Sequence, residues 1–479
     1  MTVITTREAA ETQLTKLSAR LDARAPHIEQ CEAYYDGHHN LRFATRKFRE
    51  AFGALFREFS DNWCGVVCDA VTERMHIEGF RFPIPAGGEG AEEAEAQATT
   101  SDQAATELWQ RNYLDLYSDM CHETMLVTGH AYVIVGPQPD GSRDRPLITV
   151  EHPLQVITAH VPGVPRARSA ALKRWFDEDA ERDLATVYLP DSVWKFQAEA
   201  KEDGAKGDET RWELRDGEES VIANPFDGVV PVIPFKNLEK ILGHAKSEIE
   251  EIIPLQDAIN KLFNDALVAS EFAAFRQRIL TGMEIPEDEN GRIIPNLGLE
   301  AAVQRLMIIK DPNVGVHEFE ISDLSQYANL ITLAVHHIAA RTRTPPQYFQ
   351  GQVVNVSGDA LKAAESGLVS KVKRRSRFAG EGWEETQRLG FRLMGDEARA
   401  NAYAAETIWS NPEIITESAL ADSLAKLATL GIPPQALWER MDATQTEIKR
   451  WLQMLKENPV LLPAPALAAL LTAAGREGE

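Results

Sequence analysis

The segment Ser322–Gly367, SDLSQYANLITLAVHHIAARTRTPPQYFQGQVVNVSGDALKAAESG, constrains the fold more than any other stretch of the chain. Leu324, Tyr327, Ala328, Ile331, Ala334, Val335 and Ile338 recur at helical spacing, with Ser322 in position to cap the helix. Pro345 and Pro346 then end it. Proline lacks the backbone N–H and pushes its predecessor out of the α region, so a boundary is expected at Thr344. Gln347 to Val356 mixes aromatic, amide, glycine and β-branched residues without a sustained period, which predicts an ordered loop with apolar anchors at Tyr348 and Phe349. Ser357 offers the next cap. From Asp359 no proline occurs until Pro412, and Leu361, Ala364, Leu368, Val372 and Phe378 form an intermittent apolar stripe, so a long helix follows.

The remainder reads as a mixture of helices and short strands. Residues 1 to about 30 are expected to form a polar helical arm, followed by Phe48, Phe52, Phe56 and Phe59 along one helical face. Trp63 to Met75 continues as an amphipathic helix and Ile77 to Phe82 alternates like a strand. The Gly-, Ala- and Glu-rich stretch PIPAGGEGAEEAEAQATT after it has little core-forming content. A helix is expected over 106–127. Strands are expected at 131–135, 147–150, 156–159, 186–189 and 193–196, set apart by turn-rich segments as in antiparallel hairpins. PFDGVVPVIPF, from Pro225, reads as a proline-punctuated extended passage. Ser247 to Glu250 matches a capping box ahead of Ile249, Ile252, Ile253, Ile259, Leu262, Phe263 and Ala266, with Pro254 marking a kink or a fresh start. Ala405 to Trp409 reads as a returning strand. Short helices follow, with a capping box at Thr444 to Glu447 and a Pro- and Ala-rich tail after Asn458 expected to be loosely ordered.

With 479 residues the chain exceeds the usual limit of a single core, so several modules are expected. The net charge of −23 disfavours tight DNA binding, which normally needs a basic face. An acidic surface of this kind is also what simple solubility asks of a folded chain. The balance reverses locally. Between Arg343 and Arg377, seven basic residues (Arg343, Lys362, Lys371, Lys373, Arg374, Arg375 and Arg377) stand against Asp359 and Glu365, a local net of +5. These are expected to form a solvated or subunit-bridging surface.

Catalytic and metal motifs do not emerge. Cys31, Cys64, Cys68 and Cys121, with His76 or His122 nearby, could suggest a metal cluster, but Cys64 and Cys68 lie four apart on an apolar helical stripe, where free cysteine acts as a small hydrophobe. GHAKS at Gly243 to Ser247 lacks the spaced upstream glycine and the Gly before Lys of a phosphate-binding loop. His336 and His337 lie within an apolar helix, where at least one is expected to face a neighbour in a structural role. No HExxH, GxSxG or CxxC pattern is present. No secretory signal or membrane-spanning run is visible, which predicts assembly in the cytoplasm of a host and no membrane partner.

Several strings, in this order, resemble one family: YYDGHH at Tyr34, NWCGVVCDAVTERMHIEGF at Asn62, TGHAYVIVG at Thr128, IPLQDAINKLFNDALVASEFAAFRQR at Ile253, then TPPQYFQG and SGDALKAAESGLVSKV. They resemble the portal proteins, head–tail connectors of tailed double-stranded DNA bacteriophages, in the branch common in phages of actinobacteria. The resemblance spans nearly all of residues 28 to 455. It implies a predominantly helical α+β portal fold with wing, stem, clip and crown regions, ring-forming, and no enzymatic activity or cofactor. The implied divisions are an N-terminal arm and wing (1–245), a first stem helix (246–278), a clip (279–320), a second stem helix (321–343), a tunnel loop (344–357), a long helix returning to the wing (358–410), and a crown with tail (411–479). The implied tunnel-loop residues are Gln347, Tyr348, Phe349, Gln350, Gln352, Asn355 and Ser357. Implied channel or subunit-contact cations are Arg343, Lys371, Lys373, Arg374, Arg375 and Arg377. Implied partners are further copies in a ring of about twelve, double-stranded DNA in its channel, terminase, major capsid and scaffolding proteins, and a head–tail adaptor. The location implied is the portal vertex of the virion. The alternative is a DNA-processing enzyme of the packaging apparatus, a nuclease or motor subunit, which would need the metal-carboxylate or phosphate-loop motif that is not seen.

Overall fold

The computed structural model describes residues 5–39, 61–83, 101–199, 211–216, 219–241, 243–274, 278–281, 315–318, 323–350, 358–413, 417–432, 434–441, 443 and 445–457. Phe48, Phe52, Phe56 and Phe59, the insert from residue 84 to 100, most of 279–320, Thr444 and the tail from 458 lie outside the described residues. The chain divides into two compact units. One comprises residues 1–37, 62–251 and 341–479, the other residues 38–61 and 252–340.

The first unit opens with α1 (Arg7–Tyr35), capped by Thr6, whose side chain accepts from the N–H of Ala9. The expectation of a polar arm is corrected here: Ala10, Leu14, Leu17 and Leu21 recur every three or four residues, fall on one face, and are buried in a sheet-facing core. Helix α2 (Trp63–Thr72) starts at Asn62, whose side chain accepts from the N–H groups of Cys64 and Gly65. It leads into strand β1 (Ile77–Arg81). Cys31, Cys64, Cys68 and Cys121 are all free and buried.

The single helix expected over 106–127 is two, α3 (Gln103–Arg111) and α4 (Leu114–Thr128). Tyr113 between them takes a left-handed φ of 53°, and the Asn112 side chain donates to the carbonyls of Leu108 and Pro146 instead of letting the helix run on.

Strands follow: β2 (His130–Gly136), β3 (Leu147–Glu151), β4 (Val156–Val161), β5 (Val164–Asp177), β6 (Arg182–Tyr188), β7 (Ser192–Glu199), β8 (Glu213–Leu214), β9 (Val221–Ala223) and β10 (Val232–Lys236). Strands β4 to β8 pair in sequence order as antiparallel neighbours, with β9 also on β7, and β10, β2 and β3 form a second antiparallel sheet. Both faces of the larger sheet are covered. Ile157, Leu172, Val187 and Phe196 pack on α1, while the adjacent Val156 and Ala171 turn to the other face and join Tyr132, Ile134, Val230 and Val232. The passage expected merely to be extended at Pro225–Phe235 ends in β10, where Pro234 stands opposite Tyr132. Proline is tolerated there because β10 is the edge of its sheet.

Ser247 caps no helix. Its hydroxyl donates to the Val127 carbonyl across 2.5 Å and accepts from the N–H of Ile249 across 3.2 Å. In the second unit α5 (Ile253–Ala274) starts afresh, with Pro254 in its first turn, where a missing N–H costs nothing. Gln256, Asn260 and Asn264 recur every fourth residue and are all buried. The Asn260 carbonyl oxygen accepts from the N–H of Asp61 at 3.1 Å, and its amide nitrogen meets Nδ1 of His39 at 2.7 Å. Strand β11 (Arg278–Thr281) pairs antiparallel with β12 (Gly315–Glu318).

Helix α6 (Ser325–Thr342) follows, with the Asp323 carboxylate accepting from the N–H of Ser325. Ser322, the expected cap, lies outside the described residues. His336 and His337 are both exposed on the surface of this helix.

The first unit resumes with α7 (Gln347–Gln350), α8 (Gly358–Met394), α9 (Glu397–Ala400), β13 (Glu406–Trp409), α10 (Glu417–Thr429), α11 (Pro434–Glu439) and α12 (Gln445–Glu457). Strand β13 returns to pair with β1. Helix α8 carries the aromatic centre of the unit. Trp383 is fully buried, 4.7 Å from the ring of Phe235 and 5.0 Å from that of Trp109. Gly382 makes that approach possible, since a Cβ there would lie 2.7 Å from Cζ of Phe235.

Candidate functional site at the root of the proline-broken loop

Helix α6 stops at Thr342. Arg343 adopts a left-handed φ of 57°, and the hydroxyl of Thr342 donates to that of Thr344 at 3.1 Å. The two prolines do not open directly into an irregular loop. The carbonyls of Pro345 and Pro346 accept from the N–H groups of Tyr348 and Phe349, so Gln347–Gln350 forms a turn of helix where a loop is expected.

Both aromatics of that turn are tied down. Phe349 is buried with its ring 5.6 Å from that of Trp63 on α2. Arg74 donates to the Tyr348 hydroxyl, stacks its guanidinium 5.5 Å above the same ring, and lies 3.9 Å from the buried carboxylate of Glu365 on α8. The Tyr348 hydroxyl in turn donates to Glu365 at 3.5 Å. One arginine therefore holds the residues before the 351–357 stretch and the helix after it. Gln352, Asn355 and Ser357 lie outside the described residues.

The cationic run on α8 splits by helical phase. Lys371 and Arg375, one turn apart, point inward and are only 4% and 7% exposed, so they do not belong to a solvated or channel-facing surface. Both meet Glu248, whose carboxylate is 3.0 Å from the Lys371 ammonium and accepts from Nε of Arg375 at 2.6 Å and from the Asn237 amide at 2.9 Å. Burial alone would raise the Glu248 carboxyl. Lys371 and Arg375 overcome that and hold it below the usual carboxylate range. The other face carries Lys373, Arg374 and Arg377, all exposed, as are Lys362 and Arg343. Lys373 pairs with Glu413 at 2.7 Å and Arg374 lies 6.0 Å over Phe378.

Sequence reasoning missed Glu248, Arg74 and Trp63. Their partners lie more than a hundred residues away, and no local pattern links them. Among the described residues no group of three or more His, Cys, Asp or Glu side chains is arranged to hold a metal ion, and no helix is long and apolar enough to cross a membrane.

Comparison with known proteins gives this arrangement its context. The portal protein of Mycobacterium phage D29 is 28% identical over 456 residues, covering 88% of this chain and 87% of that protein. The portal protein of Mycobacterium phage L5 is 28% identical over 375 residues, covering 75% and 70%. A chain solved in the neck of an empty GTA particle superposes with a TM-score of 0.40 at 13% identity, over 82% of this chain and 91% of that one. The family described as phage portal protein, SPP1 Gp6-like, matches residues 14–459, and the chain belongs to that family.

Proposed function

We propose that copies of this chain close into a ring of about twelve subunits at one vertex of a phage head, around a channel that admits the genome during packaging and releases it on ejection. The observation that carries this reading is the portal family match over residues 14–459. In this reading α5 and α6 are the stem helices, residues 279–320 the clip that docks terminase and later the head–tail adaptor, and the strands of 130–236 the wing. Helices α10 to α12 form the crown. The major capsid and scaffolding proteins meet the ring at the shell, and the virion is the location.

Two features support it. Helix α6 leaves Leu330 and Leu333 about half exposed, at 49% and 53%, which suits a helix covered by neighbouring copies. The net charge of −23 suits a wall past which a duplex slides, because a strongly basic wall would hold phosphate. The work of packaging comes from a separate ATP-hydrolysing terminase, with this chain as passage and docking surface. In this reading the division 344–357 serves as the tunnel loop, and the exposed Arg343, Lys373, Arg374 and Arg377 serve as channel or subunit-contact cations.

Electron microscopy of the purified protein with its native mass tests this. A ring with an axial hole is expected, and a monomer that hydrolyses ATP or cuts DNA would overturn it. Reversing charge at Arg374 and Arg377 is expected to lower packaging with rings intact, and unchanged assembly and packaging would remove these two residues from the channel reading.

A further inference from the structure

We propose that the exposed apolar face at the start of α4 receives the tip of the β4–β5 hairpin of a second copy of this chain, a contact that rests on the ring reading above and names its two surfaces. Leu116, Tyr117 and Met120 fall on one face of α4, with Tyr113 at its N-terminal end, and all four are between 42% and 74% exposed. Leu114, Ser118, Cys121 and His122 are buried on the inner side. A surface helix normally turns polar side chains outward, so large apolar and aromatic residues gathered there mark a docking face. Tyrosine and methionine are among the residue types enriched where proteins meet.

The hairpin tip has the matching chemistry. Val161, Pro162, Gly163, Val164, Pro165 and Arg166 are all exposed. Val161 stands opposite Val164 across the Pro162–Gly163 turn, with Gly163 at a φ of 79°, so both valines sit on a backbone with little freedom left to lose on docking. Arg166 is the only charge of the tip, and it faces a surface of the opposite sign: α4 carries Asp115, Asp119 and Glu123 and no lysine or arginine. Asp115 accepts from the Trp109 indole and the Gln110 amide, and Asp119 lies 3.8 Å from His76. Among the described residues neither carboxylate is paired with an arginine or lysine.

The two surfaces belong to opposite flanks. The α4 face adjoins β3, because the Asn112 amide beside Tyr113 donates to the Pro146 carbonyl at 3.2 Å and accepts from the N–H of Ile148 at 2.9 Å. The root of the hairpin is tied beside β10. There Arg168, its side chain only 6% exposed, donates to the Val230 carbonyl at 3.0 Å and pairs with Glu385 of α8 at 2.6 Å. In the order β10–β2–β3 these two strands are the two edges of one sheet. A patch on one flank that fits a different patch on the other gives a head-to-tail contact, the kind that repeats around a ring, and not a two-fold one.

Two full chains altered separately, Tyr117→Cys and Val164→Cys, one of them enlarged by a tag, test the contact when assembled together and oxidised with copper phenanthroline. Cys31, Cys64, Cys68 and Cys121 are buried, and the unaltered chain is the control. A disulfide joining one chain of each kind is expected. Rings that give only joined chains of one kind, or none, overturn this contact and leave the ring reading standing, whereas a protein that stays monomeric overturns both. A second measurement does not depend on thiol chemistry. Val164→Asp sets a carboxylate against Asp115 and Asp119 and is expected to lower the assembled fraction, read by native mass, more than about tenfold. The thermal midpoint of the monomer should hold, because the side chain is exposed. An unchanged assembled fraction overturns the contact.

Discussion

The indole N–H of Trp383 donates to Nε2 of His122 across 2.9 Å, between two side chains that are both closed to solvent. The bond requires Nε2 to be unprotonated. Burial keeps the ring neutral by pushing its pKa from 6.5 down to about 3. His130 is held to about 3 as well, first by burial and then by Arg24 and Lys236.

These histidines set a pH dependence whose sign is fixed. In the unfolded chain they take up protons below pH 6.5, and in the fold only near 3, so their contribution is complete above 6.5 and is lost as pH falls through that window. Urea denaturation between pH 7 and 4, on the order of measurements that resolve 1 kcal/mol, is expected to show falling stability. His122→Gln is expected to flatten the slope.

Glu248 contributes in a lower window. Its folded carboxyl lies below the ordinary glutamate value of 4.5, so its contribution is present above that value and is lost as pH falls further. Glu248→Gln would leave Lys371 and Arg375 buried without their anion. A loss of about 3 kcal/mol is expected, read from the urea midpoint at neutral pH, together with a shallower acid limb.

Arg74→Ala is expected to cost more than Tyr348→Phe. The first leaves the Glu365 carboxylate buried without its cation, about 3 kcal/mol, while the second removes only a hydroxyl between them, about 1 kcal/mol. Hydrogen exchange at residues 345–350 should accelerate in the Arg74 variant, and equal effects of the two substitutions would contradict the assigned bridge.

Gly382→Ala places a methyl group 2.7 Å from Cζ of Phe235. A loss of about 1–3 kcal/mol is expected from overpacking. Phe235→Leu should relieve part of it, so the thermal shift of the double variant is expected to be smaller than the two single shifts added.

Much of the fold was legible from period and punctuation. Pro345 and Pro346 marked the end of α6, the proline-free run after Asp359 marked α8, and apolar pulses marked β2 within one residue at each end and β7 within three. Strand β5 was not legible. Ala170, Ala171 and Leu172 are all buried because the sheet is covered on both faces, so the alternation that identifies a half-exposed strand is absent, and Arg166, Arg168, Lys173 and Arg174 mask what remains. Helix α1 was misjudged because its three core leucines sit among many charged residues.

At the site, the aromatic anchors Tyr348 and Phe349 were visible, but what holds them was not. The charge on Lys371 and Arg375 suggested a surface, and only the distant Glu248 makes an interior position tolerable.

Helix α8 is a single rod of about 55 Å gripped at intervals: Glu365 by Arg74, Lys371 and Arg375 by Glu248, Trp383 by Phe235 and His122, Phe391 by Phe82. Successive grips lie one to three turns apart and differ in kind, the two nearer the N-terminus of the rod ionic and the two nearer its C-terminus aromatic. A pull along the rod is therefore shared in parallel, and salt or acid that loosens the ionic clasps leaves the aromatic ones to bear the load.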